Sequence, residues 1–140
     1  MQLTIRWMDG LGFETDLEGH RMVLDGHPES GGKGRGPSPK ILLLLSLAGC
    51  TGMDVISILS KMREKVDSFE VHSRASLASE HPKKIETVEI TYRFTGPDLC
   101  RDKVRKAVSL SEEKYCGVAA TLRPGVDMSS RIVVNGSELD

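Results

Sequence analysis

Three cysteines, Cys50, Cys100 and Cys116, and two arginines, Arg21 and Arg35, are the side chains whose types could do chemistry together. A thiol of ordinary pKa, about 8.5, is only a few per cent ionised at neutral pH, so a nucleophilic cysteine needs a cation or a helix N-terminus beside it. Cys50 lies in Ala48-Gly49-Cys50-Thr51-Gly52, inside a helical pattern where each glycine costs about 1 kcal/mol relative to alanine. Such small neighbours let a substrate, or another backbone, approach the sulfur closely. Two readings stay open on spacing alone: a reactive thiol with an open approach, or a buried structural cysteine between packed helices. Mid-helix there is little macrodipole help, and Asp54, one turn further on, opposes ionisation if it points at the sulfur. The cation must then come from elsewhere, and Arg21 and Arg35 precede the helix; the alternative for each is an ordinary surface charge. Cys116 precedes Gly117-Val118-Ala119-Ala120 at an expected helix start, where free N–H groups favour negative charge on sulfur, making it a candidate second redox thiol. Cys100 falls on the apolar stripe of its helix and is expected to be packing.

Other chemistries are poorly supported. The segment Gly26 to Gly34 is glycine-rich, but it lacks the spacing of a phosphate-binding loop and no Ser or Thr follows Lys33. His20, His27, His72 and His81 have no metal-ligand spacing, so no metal is expected. Nineteen basic and 20 acidic residues give a net charge of −1, and the basic face Arg101, Lys103, Arg105, Lys106 has no interleaved aromatics, so no nucleic-acid partner is expected. An odd number of widely spaced cysteines argues against a secreted disulfide framework. The apolar run Ile41 to Gly49 falls short of the ~20 residues of a membrane span, and the N-terminus lacks a signal-peptide pattern. A cytoplasmic protein with no membrane partner is the expectation.

These side chains must be positioned by the elements around them. The 140 residues, 39% hydrophobic and 28% charged, suit one globular domain. Leu3, Ile5 and Trp7 share a strand face, Asp9-Gly10 turns the chain, Phe13 to Leu17 forms a second strand, and His20 to Leu24 a third. A Gly/Pro-rich loop follows to Pro37. Ser38-Pro39 opens a helix that runs to about Glu64. Its first half is apolar on every face and must be surrounded by protein, which suggests a dimer. Two antiparallel strands, Phe69 to Leu77 and Val88 to Phe94, come next. A helix from Pro97 to Tyr115 carries Cys100, Val104, Ala107, Val108, Ser111 and Tyr115 at helical spacing, then a short helical turn spans Cys116 to Leu122 and a strand Arg131 to Asn135. The order is α+β with mostly antiparallel pairing.

Gly36-Pro37-Ser38-Pro39 leading into Leu42-Leu43-Leu44, then Ala48-Gly49-Cys50-Thr51-Gly52-Met53-Asp54-Val55, and later Glu113-Lys114-Tyr115-Cys116 resemble the OsmC/Ohr family. The likeness extends over nearly the whole chain and is nearer the OsmC-like branch than the organic hydroperoxide resistance branch. It implies a single OsmC-like domain over residues 1–140, in an intertwined homodimer whose antiparallel sheets wrap two long central helices, with active sites at the dimer interface. It further implies that Cys50 attacks a peroxide O–O bond, becomes a sulfenic acid and condenses with Cys116 to a disulfide that an external dithiol reduces, with no bound cofactor. The resemblance implies a thiol-dependent hydroperoxide reductase of oxidative-stress defence. In the best-understood members of the family an arginine held by a glutamate on the first turn of the long helix stabilises the thiolate. Here that turn reads Pro39-Lys40-Ile41-Leu42, without the glutamate. Arg21, which follows the opening hairpin, is the first choice for the arginine, Arg35 the second, and Glu29 a substitute carboxylate. Two other readings use the same residues: a module binding a small hydrophobic ligand in an apolar interface pocket, its cysteines kept for packing, and a thiol transferase or sulfur carrier acting through Cys50 on a non-peroxide electrophile.

Overall fold

The alternating pattern at the start of the chain forms three short antiparallel strands, β1 (Arg6–Asp9), β2 (Gly12–Leu17) and β3 (His20–Leu24), in that order across one sheet. The computed structural model describes residues 1–140, which form two compact units, Met1–Leu43 and Leu44–Asp140. In the first unit, Gly10 turns β1 into β2 at a φ of +52°, a left-handed conformation that glycine adopts without strain, and its carbonyl accepts from Trp7 Nε1 at 3.0 Å. β1 begins later than expected: its pairing with β2 starts at Arg6, so Leu3 and Ile5 lie ahead of it and are exposed. The Thr15 hydroxyl donates to the Thr4 carbonyl at 2.8 Å, taking up a backbone acceptor that a longer β1 would have to satisfy.

The loop after β3 is held by charge. Asp25, its side chain fully shielded from solvent, accepts from Arg35 Nε at 2.8 Å, and Arg35 also pairs with Asp9 at 2.8 Å. Gly12 is needed because a Cβ there would overlap the Arg35 guanidinium. Likewise the Gly32 Cα packs against the Gly26 backbone with no room for a side chain. Gly36 likewise packs against the Val23 backbone, whereas Gly31 is a left-handed turn position.

The long helix α1 (Pro39–Lys61) starts in the first unit and continues through the second. It ends in a Schellman arrangement, with Arg63 left-handed at φ +59°, its N–H on the Ser60 carbonyl and the Glu64 N–H on the Leu59 carbonyl, both at 3.0 Å. Only one stripe of α1 is buried, Leu47, Thr51, Val55 and Leu59, at strict i, i+4 spacing. Ile41, Leu43, Leu45, Met53 and Ile56 remain exposed, so the chain by itself does not surround this helix. By length and composition alone α1, with a mean hydropathy of 2.0 over its most apolar window, is long and apolar enough to cross a membrane, further than the run Ile41 to Gly49 suggested. Its Thr51 and Asp54 are nonetheless engaged by other parts of the second unit, as a core helix requires.

The second unit is a four-stranded sheet in the order β4 (Ser68–Leu77), β5 (Ile85–Thr95), β6 (Asp127–Val134), β7 (Ser137–Leu139). β4–β5 and β6–β7 are antiparallel, but β5 and β6 run parallel. A parallel pair needs a crossover, supplied by α2 (Arg101–Leu110), a π-helical turn (Ser111–Tyr115) and α3 (Gly117–Leu122). The last strand is longer than Arg131 to Asn135 implied, because pairing with β5 extends back to Asp127. Alternate residues of β5, Val88, Ile90, Tyr92 and Phe94, are buried against α1, α2 and α3, and Phe94 stacks on Phe69 at 4.4 Å between ring centroids. The fold is mixed α+β.

Leu59 is fully buried and Leu45 is 61% exposed within the chain. Leu59→Ala is therefore expected to lower unfolding free energy by about 2–5 kcal/mol in urea titration, and Leu45→Ala to change it by under about 1 kcal/mol at concentrations where the chain is monomeric.

Candidate functional site

The site grows from a break between two helices. α2 does not run on to Tyr115: after Leu110 the chain takes a wider π turn, closed by the Cys116 N–H donating to the Ser111 carbonyl at 2.8 Å. The extra residue per turn shifts everything downstream of Ser111. Tyr115, expected on the buried stripe, is 52% exposed, while Ser111 is wholly buried and faces α1. Cys116 then takes the N-cap position of α3, where its sulfur accepts from the Ala119 N–H at 3.3 Å. Glu112 ties the π turn to the sheet, accepting from the Tyr92 hydroxyl at 3.0 Å and the Ser130 hydroxyl at 3.2 Å, while its carbonyl accepts from Arg123.

Opposite this break, α1 presents Cys50 and, one turn later, Asp54. The sulfurs of Cys50 and Cys116 and a carboxylate oxygen of Asp54 all lie within 4.8 Å of one another. Both cysteines are free thiols, Cys116 buried and Cys50 half-buried. Ser111 Oγ donates to Asp54 Oδ2 at 3.2 Å and approaches the Thr51 carbonyl at 3.5 Å. Thr51 in turn bonds back to the Leu47 carbonyl at 3.0 Å, so its hydroxyl is satisfied inside the helix. Gly52 faces β4, where a Cβ would meet Val71 at ordinary contact distance, so the approach of the strand does not require a glycine there. Two thiols and a carboxylate so placed can exchange protons, form a disulfide, or offer three ligand atoms to a soft cation.

The electrostatics of Cys116 run against the expectation that its helix-start position favours a thiolate. Burial pushes its pKa up to about 11, the hydrogen bond with Cys50 adds to the rise, and the Ala119 N–H only partly offsets it. Desolvation outweighs the helix dipole because α3 is only six residues long. Tyr92, behind it, is held neutral far above the ordinary phenol range by burial and then by the Glu112 charge.

The structure brings Cys50 and Cys116 together. Arg21 stands on β3, 68% exposed, bonded across the sheet to Glu14 at 2.8 Å. Arg35 is the more firmly held of the two arginines, its side chain 27% exposed and gripped by Asp25, whose carboxyl it holds below the usual range, and by Asp9. The carboxylates on Arg35 are thus Asp25 and Asp9, while Glu29 is exposed in the turn Pro28–Ser30. Cys100 is not packing: α2 starts one residue later, which leaves Cys100 as an exposed cap position whose N–H donates to Glu64 at 2.8 Å. Asp54 and Ser111 are the residues of the cluster that sequence reasoning did not place there as partners. A serine within an otherwise apolar helical stripe was the available signal, since a buried hydroxyl needs a partner.

A dithiol cluster facing a helix break on an α+β scaffold is the class of site this chain carries. The profile of the OsmC-like protein family matches residues 31–131, and the chain belongs to that family. It is 37% identical over 130 residues to protein YhfA of Escherichia coli K12, covering 92% of this chain and 94% of YhfA. A protein of Aquifex aeolicus VF5 described as hypothetical has a TM-score of 0.81 at 27% identity, over 96% of both chains. An organic hydroperoxide resistance protein OsmC of Legionella pneumophila has a TM-score of 0.72 over 96% of this chain and 98% of its own. At 20% identity that last likeness speaks to the fold alone.

Since the fold favours the neutral Cys116 thiol, this group's contribution to stability is complete below the ordinary thiol pKa and is lost as pH rises through about 11. Alkylation by iodoacetamide, read out by peptide mass spectrometry, is expected to label exposed Cys100 well before Cys116 at pH 8 and to give Cys116 a midpoint near 11.

Proposed function

We propose that the protein is a thiol-dependent hydroperoxide reductase, with Cys50 as the peroxidatic and Cys116 as the resolving cysteine. The observation that carries this is the meeting of the two sulfurs, within 4.8 Å of one another, across the α1–π-turn contact. In this reading the Cys50 thiolate attacks the peroxide O–O bond and releases an alcohol or water, leaving a sulfenic acid. Cys116 then displaces hydroxide from it to form a disulfide, and an external dithiol restores both thiols. The half-buried position of Cys50 suits the attacking role, which needs access, and the buried position of Cys116 suits the resolving role, which does not. Membership of the OsmC-like family, whose fold is shared by a Legionella pneumophila protein named for organic hydroperoxide resistance, is in keeping with this substrate class. The thiolate-stabilising cation is assigned to an arginine of the first unit, Arg21 or Arg35. No bound cofactor is needed.

We further assign the uncovered apolar face of α1 to a second copy of the chain, forming a cytoplasmic homodimer. Leu45, Met53 and Ile56 are exposed within one chain, and an apolar helix face of this extent is stable in water only when covered. A peroxide or other small apolar substrate would be held near this face.

Cys50→Ser is expected to abolish dithiol-dependent consumption of an organic hydroperoxide, whereas Cys116→Ser allows one turnover, seen as a sulfenic acid on Cys50 by dimedone labelling. Wild-type protein that consumes no peroxide with any dithiol, but accumulates a persulfide or mixed disulfide on Cys50, would instead identify a transferase. Met53→Glu is expected to shift the protein from dimer to monomer in analytical ultracentrifugation, with the helical circular dichroism of the second unit retained.

A further inference from the structure

A thiol as buried as Cys116 has to give up its proton before it can attack, and the group gathered with the two sulfurs is the carboxylate of Asp54. We propose that Asp54 is the proton relay of the resolving step: its carboxylate accepts the Cys116 proton and passes it to the group leaving Cys50, while Ser111 is the positioning residue that holds the carboxylate. This rests on the reading of Cys50 and Cys116 as an exchanging pair. One Asp54 oxygen lies within 4.8 Å of both sulfurs, a separation that at most one water needs to bridge. Ser111, fully buried, fixes the orientation of Oδ2 through its hydroxyl, and the π turn fixes Ser111. The titratable groups facing Cys116 are Cys50 and Asp54 from α1 and Tyr92 from β5, with Glu112 of the π turn behind Tyr92. Tyr92 stays neutral and Glu112 is occupied by two hydroxyls, so Asp54 is the base of the cluster.

The step balances. The Cys116 sulfur attacks the Cys50 sulfenic sulfur, an S–S bond forms, the S–O bond breaks, and the Cys116 proton reaches the departing hydroxide through Asp54 to leave as water. The Cys116 sulfur is oxidised and the Cys50 sulfur reduced, so the sulfenic acid is the only oxidant required.

The relay can be tested without peroxide. In the full chain carrying Cys100→Ser, one equivalent of methyl methanethiosulfonate places a methylthio group on accessible Cys50, and Cys116 then displaces methanethiol. The second step is monitored by acid quench and intact mass. Asp54→Asn is expected to slow it about 100-fold at pH 7, within the range general-base catalysis supplies, and the deficit is expected to close as pH approaches 11, where solvent base suffices. Asp54→Glu should recover much of the rate, and Ser111→Ala should show a smaller loss that also closes at high pH. An Asp54→Asn protein as fast as wild type, or faster, overturns the proposal; a gain in rate would mean that the carboxylate acts only by repelling the thiolate. If Asp54→Asn does not fold, an unchanged Ser111→Ala rate at every pH overturns it equally, as does a wild-type chain whose methylthio group never leaves. A normal relay signature in a protein that consumes no peroxide would refute the reductase reading and leave the relay standing.

Discussion

The site depends on a single i→i+5 turn. With an ordinary α-helical turn after Leu110, α2 would have continued to Tyr115 and carried that ring inward. The bond from the Cys116 N–H to the Ser111 carbonyl admits the extra residue that points Ser111 at Asp54 and leaves Cys116 at the mouth of α3, beside Cys50. Such turns lose regular hydrogen-bond geometry and persist where surrounding contacts fix them. Here Glu112 does this, bonded to β5 through Tyr92 and to β6 through Ser130. The sheet thereby determines where a sulfur on a helix connection meets a sulfur on α1.

Burial gives the two thiols different characters. Cys116 has an N-cap hydrogen bond from Ala119, yet its pKa rises, because a thiolate taken out of water loses more hydration than one N–H and a six-residue helix return. In the proposed reaction, a thiol kept neutral in this way suits the resolving role, attacking once a partner sulfur is presented to it. Asp54 changes meaning in this light. Close to both sulfurs and held by Ser111, its carboxylate is placed for the proton-accepting role proposed above.

Much of this was legible in the sequence. The α+β order, α1 from Pro39, the two central strands and the closeness of Cys50 to Cys116 come from apolar periodicity, from Ser38-Pro39, and from a family likeness carried by short motifs. What was not legible depended on tertiary choices. Cys100 and Tyr115 sit at helical spacing, but α2 begins one residue after Cys100 and loses α geometry before Tyr115, so neither faces the core. Periodicity reports which face a residue would take if the helix were regular, and cannot report where it stops being regular. The parallel pairing of β5 and β6 was hidden for a related reason, since strand direction is set by the crossover rather than by either strand's own residues.

The glycine-rich loop and α1 show the same limit from opposite sides. The loop has the composition of a flexible segment, yet Asp25 and Arg35 fix it, Gly32 and Gly36 are places where backbone meets backbone, and Gly31 and Gly34 take left-handed turns. α1 has the composition of a fully enclosed rod, yet the chain buries only the stripe Leu47, Thr51, Val55, Leu59. That stripe already accounts for packing against the sheet and α2, so the remaining apolar side chains, Leu45, Met53 and Ile56 among them, are surplus to the needs of one chain. Cys50 lies on the border between the satisfied stripe and the surplus face. Covering that face in the proposed dimer would therefore also limit how much water reaches Cys50.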